Sequence, residues 1–321
     1  MSRTHSHSVR SQFEEFVDGA ELPLPGSGST WERFSTLAQW SSVDLSLGRL
    51  CEGHADALAI LAEADMKPVE MHASYGVWAA RGSRSTTTAE RVGRRWRLSG
   101  SKEFCSGSSI LDRALVTAET SLGYLLFDVA VRDVVVASHD DSWPATGMAS
   151  SMSLTLDFGG APVEDAQVVG PAGFYTQRPG FWFGGAGVAA CWYGGAVGLV
   201  NGLVESLSPE PNEHVLADLG LAVSSLEAMR SVLKNVAQGI DDDPLDEEGQ
   251  AQFRTLVARQ VAHDRATDIL AFVASAGGAR PLCHNEVESR RAADLYVYLA
   301  QHHGGADAAA LGRIAWGSQG C

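Results

Sequence analysis

The apolar residues change period twice along this chain, and that change constrains the fold more than any single motif. In residues 43–65, VDLSLGRLCEGHADALAILAEAD, Leu50, His54, Leu58 and Leu61 recur at helical spacing. From 74 to 170 the period falls to two. GVWAA, RWRLSG, RALVTAE, GYLLFDVAV, VVVASH and LTLDFGG are strand candidates, with turn residues between them. From 181 the helical period returns. One of its segments carries Val215, Leu219, Leu226, Leu233 and Val236 on one stripe. QFRTLVARQVAHDRATDILAFVASAG and EVESRRAADLYVYLAQHH follow. This predicts an α+β chain with an N-terminal helical segment, a small antiparallel β-barrel or sandwich, and a C-terminal four-helix bundle. The expected boundaries are a flexible arm over 1–30, a short helical segment over 31–70, a β domain over 71–172 and the bundle over 173–321. ELPLPGSGST is the linker that ends the arm, with Ser29 or Thr30 as N-cap of the first helix.

The bundle opens with Phe181–Val204, 24 residues without a charge. Length alone would allow a membrane span. Seven glycines dilute its hydrophobicity, and amphipathic helices follow it, so a buried central helix is expected and no membrane. Gly194, Gly198 and Gly202 fall on one bare face, where a neighbouring backbone or a ligand ring can come close.

The net charge of −15 argues against nucleic acid as a partner. The basic runs RGSRS and ERVGRRWR leave open a phosphorylated ligand, with Arg81, Arg84 and Arg91 as contacts, or a solvated face. The five cysteines, at 51, 105, 191, 283 and 321, are widely spaced and form no CxxC. Neither a disulfide framework nor a zinc site is expected, the histidines show no metal-binding spacing, and a cytoplasmic location fits. Asp218, Asp264, Asp268 and Glu288 read as solvated faces or bundle ion pairs.

The stretch WRLSGSKEFCSGSSILDRALVTAE interrupts two strands with a serine- and glycine-rich turn. It is either an ordinary hairpin turn or a backbone cradle for a flat ligand. The layout and the motifs YGVWAARGSRS, LSGSKEFCSGSS, GMASSMSLTLDFGGAPVEDAQVVG and ASAGGARPL…ESRRAADLYVYLAQHH together resemble the acyl-CoA dehydrogenase family over about residues 30–315. The resemblance implies FAD and a homo-oligomer. It implies oxidation of the CH–CH group of an acyl thioester or another small molecule, a carboxylate taking the α-proton while the flavin takes the β-hydride. It places Phe104, Cys105 and Ser106 against the flavin, with Tyr75, Val77 and Trp78 on the facing strand.

The chain departs from that family in ways that bear on function. The segment before Tyr75 is short. Trp78 stands where the family has a flavin-contacting threonine. SLSPEPNEH replaces the RxxFG segment that holds the FAD diphosphate, leaving Arg280 beside Gly277 and Gly278 as the candidate phosphate contact, or as a surface arginine. One family position for the catalytic carboxylate falls near Val188. The other falls at Gln301 or His302, and anchoring on Ala293-Asp294 selects His302. His302 then reads as a general base, or as the histidine that assists oxygen activation in the flavin monooxygenase branch of the fold, or as a cationic cap at a helix C-terminus. Three functions stay open: an FAD-dependent oxidoreductase, a flavin-dependent monooxygenase with FAD or FMN, and a non-catalytic, flavin-free subunit that pairs with a complete homologue in a hetero-oligomer.

Overall fold

The computed structural model describes residues 3–19, 21–80 and 86–317. The helices are α1 (Arg3–Gly19), α2 (Thr30–Val43), α3 (Leu45–Glu63), α4 (Val131–Val134), α5 (Phe174–Gln177), α6 (Gly180–Ser206), α7 (Glu213–Asp242), α8 (Ala251–Gly277), α9 (Ala279–His284), α10 (Glu286–Leu299) and α11 (Gly305–Gly317). The strands are β1 (Tyr75–Trp78), β2 (Thr87–Val92), β3 (Arg95–Cys105), β4 (Arg113–Thr120), β5 (Gly123–Ala130), β6 (Val135–His139), β7 (Leu154–Phe158), β8 (Val163–Glu164) and β9 (Val168–Val169). Two compact units form. One takes Met1–Glu21, Arg49–Pro144 and Ala149–Phe181; the other takes Leu22–Gly48, Ala145–Met148 and Trp182–Cys321.

The first unit is built on one sheet of order β6-β7-β3-β2-β4-β5-β9, with β1 beside β4 and β8 beside β3. The expected all-antiparallel barrel or sandwich is corrected here, because β1 pairs β4 in parallel and β2 touches β4 in parallel at Thr88–Glu119. Alternation reports which face of a strand is buried and is blind to the direction of its partner. The β3 pattern is a case in point: Trp96 and Leu98 are buried while Arg95, Arg97 and Ser99 face out. β4, buried from Arg113 to Ala118, is its most enclosed strand. One face of α3, with Ala57, Ile60 and Leu61, packs on Tyr75, Leu115, Leu126 and Val169. The segment expected as a flexible arm is helix α1 over residues 3–19. Val9, Phe13 and Phe16 lie one helical turn apart and are each 1% exposed. Phe13 and Phe16 meet His54 edge-on at 6.2 and 6.1 Å. Polar flanks hide this short apolar stripe in the sequence.

In the second unit α6 is the core helix. It is long and apolar enough to cross a membrane, yet 72% of its most apolar window is buried in the protein. The glycine face is there for backbone contact. A Cβ at Gly194 would stand 2.2 Å from the Ala38 carbonyl oxygen, and one at Gly198 2.5 Å from that of Ser42. The start of α2 is capped differently from the expectation. Ser29 holds the N-cap position without a side-chain cap bond. Instead the Asp241 carboxylate of α7 accepts from the Gly28 and Thr30 amides at 3.0 Å and from the Thr30 hydroxyl at 2.6 Å. A carboxylate there meets the positive end of the helix.

Candidate functional site

The structure divides the candidate residues between the two units. In the first, the turn after β3 folds onto itself. The Ser106 amide donates to the Phe104 carbonyl at 3.0 Å, the Gly107 amide to Ser151 at 2.7 Å, and the Ser108 amide to Cys105 at 3.2 Å. The Ser106 hydroxyl bonds that of Ser153 at 2.8 Å, and Ser153 bonds Ser151 at 2.9 Å. The Trp78 indole N–H donates to the Ser106 carbonyl at 3.0 Å. The donors that the sequence suggested for a ligand are therefore used locally. Sequence reasoning passed over their partners, Ser151 and Ser153; the serine-rich SSMS before β7 was the available signal.

The side chains follow the same pattern. Cys105 is fully buried, and burial pushes its thiol up to about 12, far from thiolate chemistry. Tyr75 is fully buried in a polar network. Its hydroxyl donates to Asp128 at 3.1 Å, and Arg113 Nε donates to the other Asp128 oxygen at 2.8 Å. Burial first, then the Asp128 charge, pushes the Tyr75 phenol up to about 12. Val77 is half-buried and Trp78 is 1% exposed.

Phe104 differs. Its φ of +61° lies in the left-handed region, which a bulky residue rarely adopts, at the register shift between Lys102 and Cys105. The ring is 55% exposed and meets Trp143 edge-on at 6.4 Å. Strain at an exposed aromatic points to a functional constraint. The turn thus fits a flat ring laid against Phe104 and Trp143. It does not fit a ligand that needs the Ser106–Ser108 amides.

Arg91 pairs with Asp165 at 2.6 Å and Arg95 with Glu164 at 2.7 Å, both exposed. That is the solvated basic face. Arg81 and Arg84 lie outside the described residues.

The second unit holds Gly277, Gly278, Arg280 and His302. Gly277 ends α8, Gly278 is its C-cap with φ +64°, and Arg280 is exposed in the short α9. His302 follows α10. Its amide donates to the Leu299 carbonyl at 2.9 Å, but its side chain bonds no carbonyl of that helix and is 2% exposed. The ring meets the fully buried Trp192 of α6 edge-on at 6.2 Å and lies 4.6 Å from the His263 ring of α8. The Arg259 guanidinium sits over Trp192 at 4.7 Å. His302 Nε2 is 3.1 Å from Gln260 Oε1, while Nδ1 is buried without a hydrogen bond and 3.5 Å from Asp307 Oδ2. Burial, then the charges of His263 and Arg259, pull the His302 pKa below its ordinary value, so the ring is neutral at pH 7.

Asp264, read as part of a solvated face or a bundle ion pair, belongs to the same cluster. It accepts from Gln260 Nε2 at 2.9 and 3.0 Å and pairs with His263 Nδ1 at 3.1 Å. Against partial burial, which pushes it up, these hydrogen bonds hold the carboxyl below its ordinary range. Gln260 and His263 were not singled out in the sequence; their spacing of three on one helix face was the only signal. Glu288 is also inside the protein, 7% exposed, against Gly202 and bonded to Arg291 at 2.8 Å.

Two sequence motifs meet in this unit. A Cβ at Gly147 would stand 2.1 Å from the Ala293 carbonyl oxygen, and the Met148 amide donates to Asp294 at 2.5 Å. The GM pair and the Ala293-Asp294 pair form one clip.

No family model and no curated protein matches the chain. Solved structures do. Methanesulfinate monooxygenase MsuC from Pseudomonas fluorescens superposes with a TM-score of 0.79 at 17% identity, over 99% of this chain and 97% of that one. KijD3, solved with FMN and a dTDP-linked amino keto sugar, gives 0.81 at 18%, over 98% and 91%. The dibenzothiophene monooxygenase TdsC from Paenibacillus sp. A11-2 gives 0.76 at 19%, over 96% and 94%. The shared property is the α+β, acyl-CoA-dehydrogenase-like fold expected from the motif order.

Proposed function

We propose that the chain is a flavin-dependent monooxygenase that uses reduced FMN and acts on a small molecule, rather than an FAD-dependent acyl-CoA dehydrogenase. The observation that carries this reading is the buried, neutral His302 with an unpaired ring nitrogen, a residue that the resemblance to the acyl-CoA dehydrogenase family sets near one position of the catalytic carboxylate. A neutral imidazole in an apolar setting can take and return a proton near pH 7. It cannot hold the fixed negative charge of a carboxylate base. The likeness to two monooxygenases and to an FMN-bound chain supports the same reading.

FMN rather than FAD agrees with SLSPEPNEH at the diphosphate-binding segment. Phe104 and Trp143 would hold the ring by face and edge contact. Bound reduced flavin would supply the two electrons with which dioxygen is divided between substrate and water. His302 would accept the proton released at the substrate, with Asp307, 3.5 Å away, as counter-charge for the imidazolium. Trp192 and Tyr298, both buried, keep bulk water from the ring.

The test is anaerobic fluorescence titration with oxidised and reduced FMN, then with FAD, followed by oxygen. The reading expects reduced FMN to bind more tightly than FAD, and oxygen to reoxidise it. Bleaching of tightly bound FAD by an acyl-CoA would restore the dehydrogenase.

A further inference from the structure

We infer that Gln260, oriented by Asp264, is a positioning residue that fixes His302 as the Nε2–H tautomer and so makes Nδ1 its proton-accepting atom. The inference deepens the reading of His302 given above and rests on it for its catalytic meaning.

Asp264 is ionised, and an ionised carboxylate only accepts hydrogen bonds. Gln260 Nε2 lies 2.9 and 3.0 Å from its two oxygens, so the amide group of Gln260 faces Asp264. The reversed amide would set Oε1 against that carboxylate, acceptor to acceptor, and lose both bonds. With Nε2 held there, Oε1 is the atom 3.1 Å from His302 Nε2. A carbonyl oxygen has no proton to give, so His302 Nε2 must carry one. In a neutral ring the other nitrogen is then bare.

Nδ1 is the nitrogen found buried and without a hydrogen bond. Asp307 of α11 approaches it at 3.5 Å and offers nothing to a bare nitrogen until Nδ1 gains a proton. The remaining groups around the ring act by charge or by shape. His263 and Arg259 on α8 oppose a second proton on the ring. Asp264 and Asp307 favour it. Trp192 on α6 confines the ring edge. The one neutral hydrogen bond that selects between the two tautomers is the one to Gln260.

The test reads the tautomer directly, without flavin or substrate. Histidine-selective 15N labelling and long-range 15N–1H correlation above neutral pH distinguish a protonated from a bare ring nitrogen, and His302→Gln assigns the signal. In the wild-type protein Nε2 is expected protonated and Nδ1 bare. In Gln260→Met, which keeps the length and removes the acceptor, the signal is expected to become a mixture. The rate of oxygen-dependent reoxidation of bound reduced FMN should then fall by about tenfold, the order of one lost orienting hydrogen bond. A wild-type ring protonated at Nδ1, or a tautomer unchanged in Gln260→Met, would overturn the inference. The wild-type spectrum decides alone if the variant does not fold. An oxygen reaction unchanged in His302→Gln would instead sink the catalytic reading, whatever tautomer is found.

Discussion

The serine-rich turn after β3 and the histidine cluster formed by α8 and the turn after α10 differ in one respect that sorts scaffold from chemistry. In the turn, the donors and acceptors have found each other: Gly107 with Ser151, Ser106 with Ser153, Trp78 with the Ser106 carbonyl. In the cluster, two buried nitrogens find no hydrogen bond: Trp192 Nε1, whose ring lies under the Arg259 guanidinium, and His302 Nδ1, which can take a proton. An unsatisfied buried nitrogen costs about 1–3 kcal/mol, so it persists where it has a use. A stretch rich in donors advertises binding in the sequence, yet folding consumed those donors. His302, read from the sequence as a general base, an oxygen-activating histidine or a helix cap, is the group whose setting keeps a nitrogen unpaired.

The largest effect expected of a single substitution would break that comparison at its chemical end. His302→Gln should lower the oxygen-dependent rate by about 10²–10⁴-fold, the range of general acid–base catalysis. FMN affinity should stay within about threefold, since the proposed ring contacts are Phe104 and Trp143. Paired rapid-mixing and titration experiments check both halves. An equal loss of rate and affinity would move the flavin contact into the histidine cluster.

Next in size is the scaffold beneath the turn. Asp128→Asn leaves Arg113, 3% exposed, with only the exposed Glu70 at 3.4 Å as a charged partner, and breaking such a buried pair costs about 3–5 kcal/mol. Denaturant unfolding should show this loss, and a change under about 1 kcal/mol would mean that solvent reaches the pair. Gly194→Ala drives a methyl into the Ala38 carbonyl and should cost about 1–3 kcal/mol. The matched control is Gly220→Ala on α7, where a Cβ meets nothing within 4 Å. There the expected effect is a gain of about 0.4–1 kcal/mol, read as a higher Tm.

The smallest effect is a pH dependence that sharpens the contrast. The folded pKa of His302 lies below its unfolded value of about 6.5, so the unfolded chain binds more protons. Stability is therefore complete above about pH 6.5 and declines as pH falls from there toward the folded pKa. Below the folded pKa this contribution stays constant. His302→Gln should flatten that part of the profile, while Ser153→Ala in the turn should shift the curve by about 0.5–1.5 kcal/mol without changing its slope.

Much of the architecture was legible in the sequence because apolar period follows burial. β1 and β3 to β7 were found near their places, while β2, β8 and β9 were missed, and Gly194 and Gly198 marked a close approach of backbone. The parallel pairing of β1 with β4 was not legible, since alternation carries no direction. Nor was α1, whose three apolar residues sit between polar flanks. At the site, His302 was found by motif alignment, but its setting was hidden. Gln260, His263 and Asp264 look like any solvated helix face, and only the fold turns them toward His302. Trp143 is 39 residues from Phe104, and no local pattern joins them.

The central claim is that a buried, neutral His302 governs oxygen chemistry on this fold. The most direct measurement is the pH dependence of oxygen-driven reoxidation of bound reduced FMN, in wild-type protein and in His302→Gln. The account predicts a wild-type rate that falls as pH drops through a single ionisation below about 6.5, and a slow, pH-independent rate in the variant. The same profile in both proteins would contradict it.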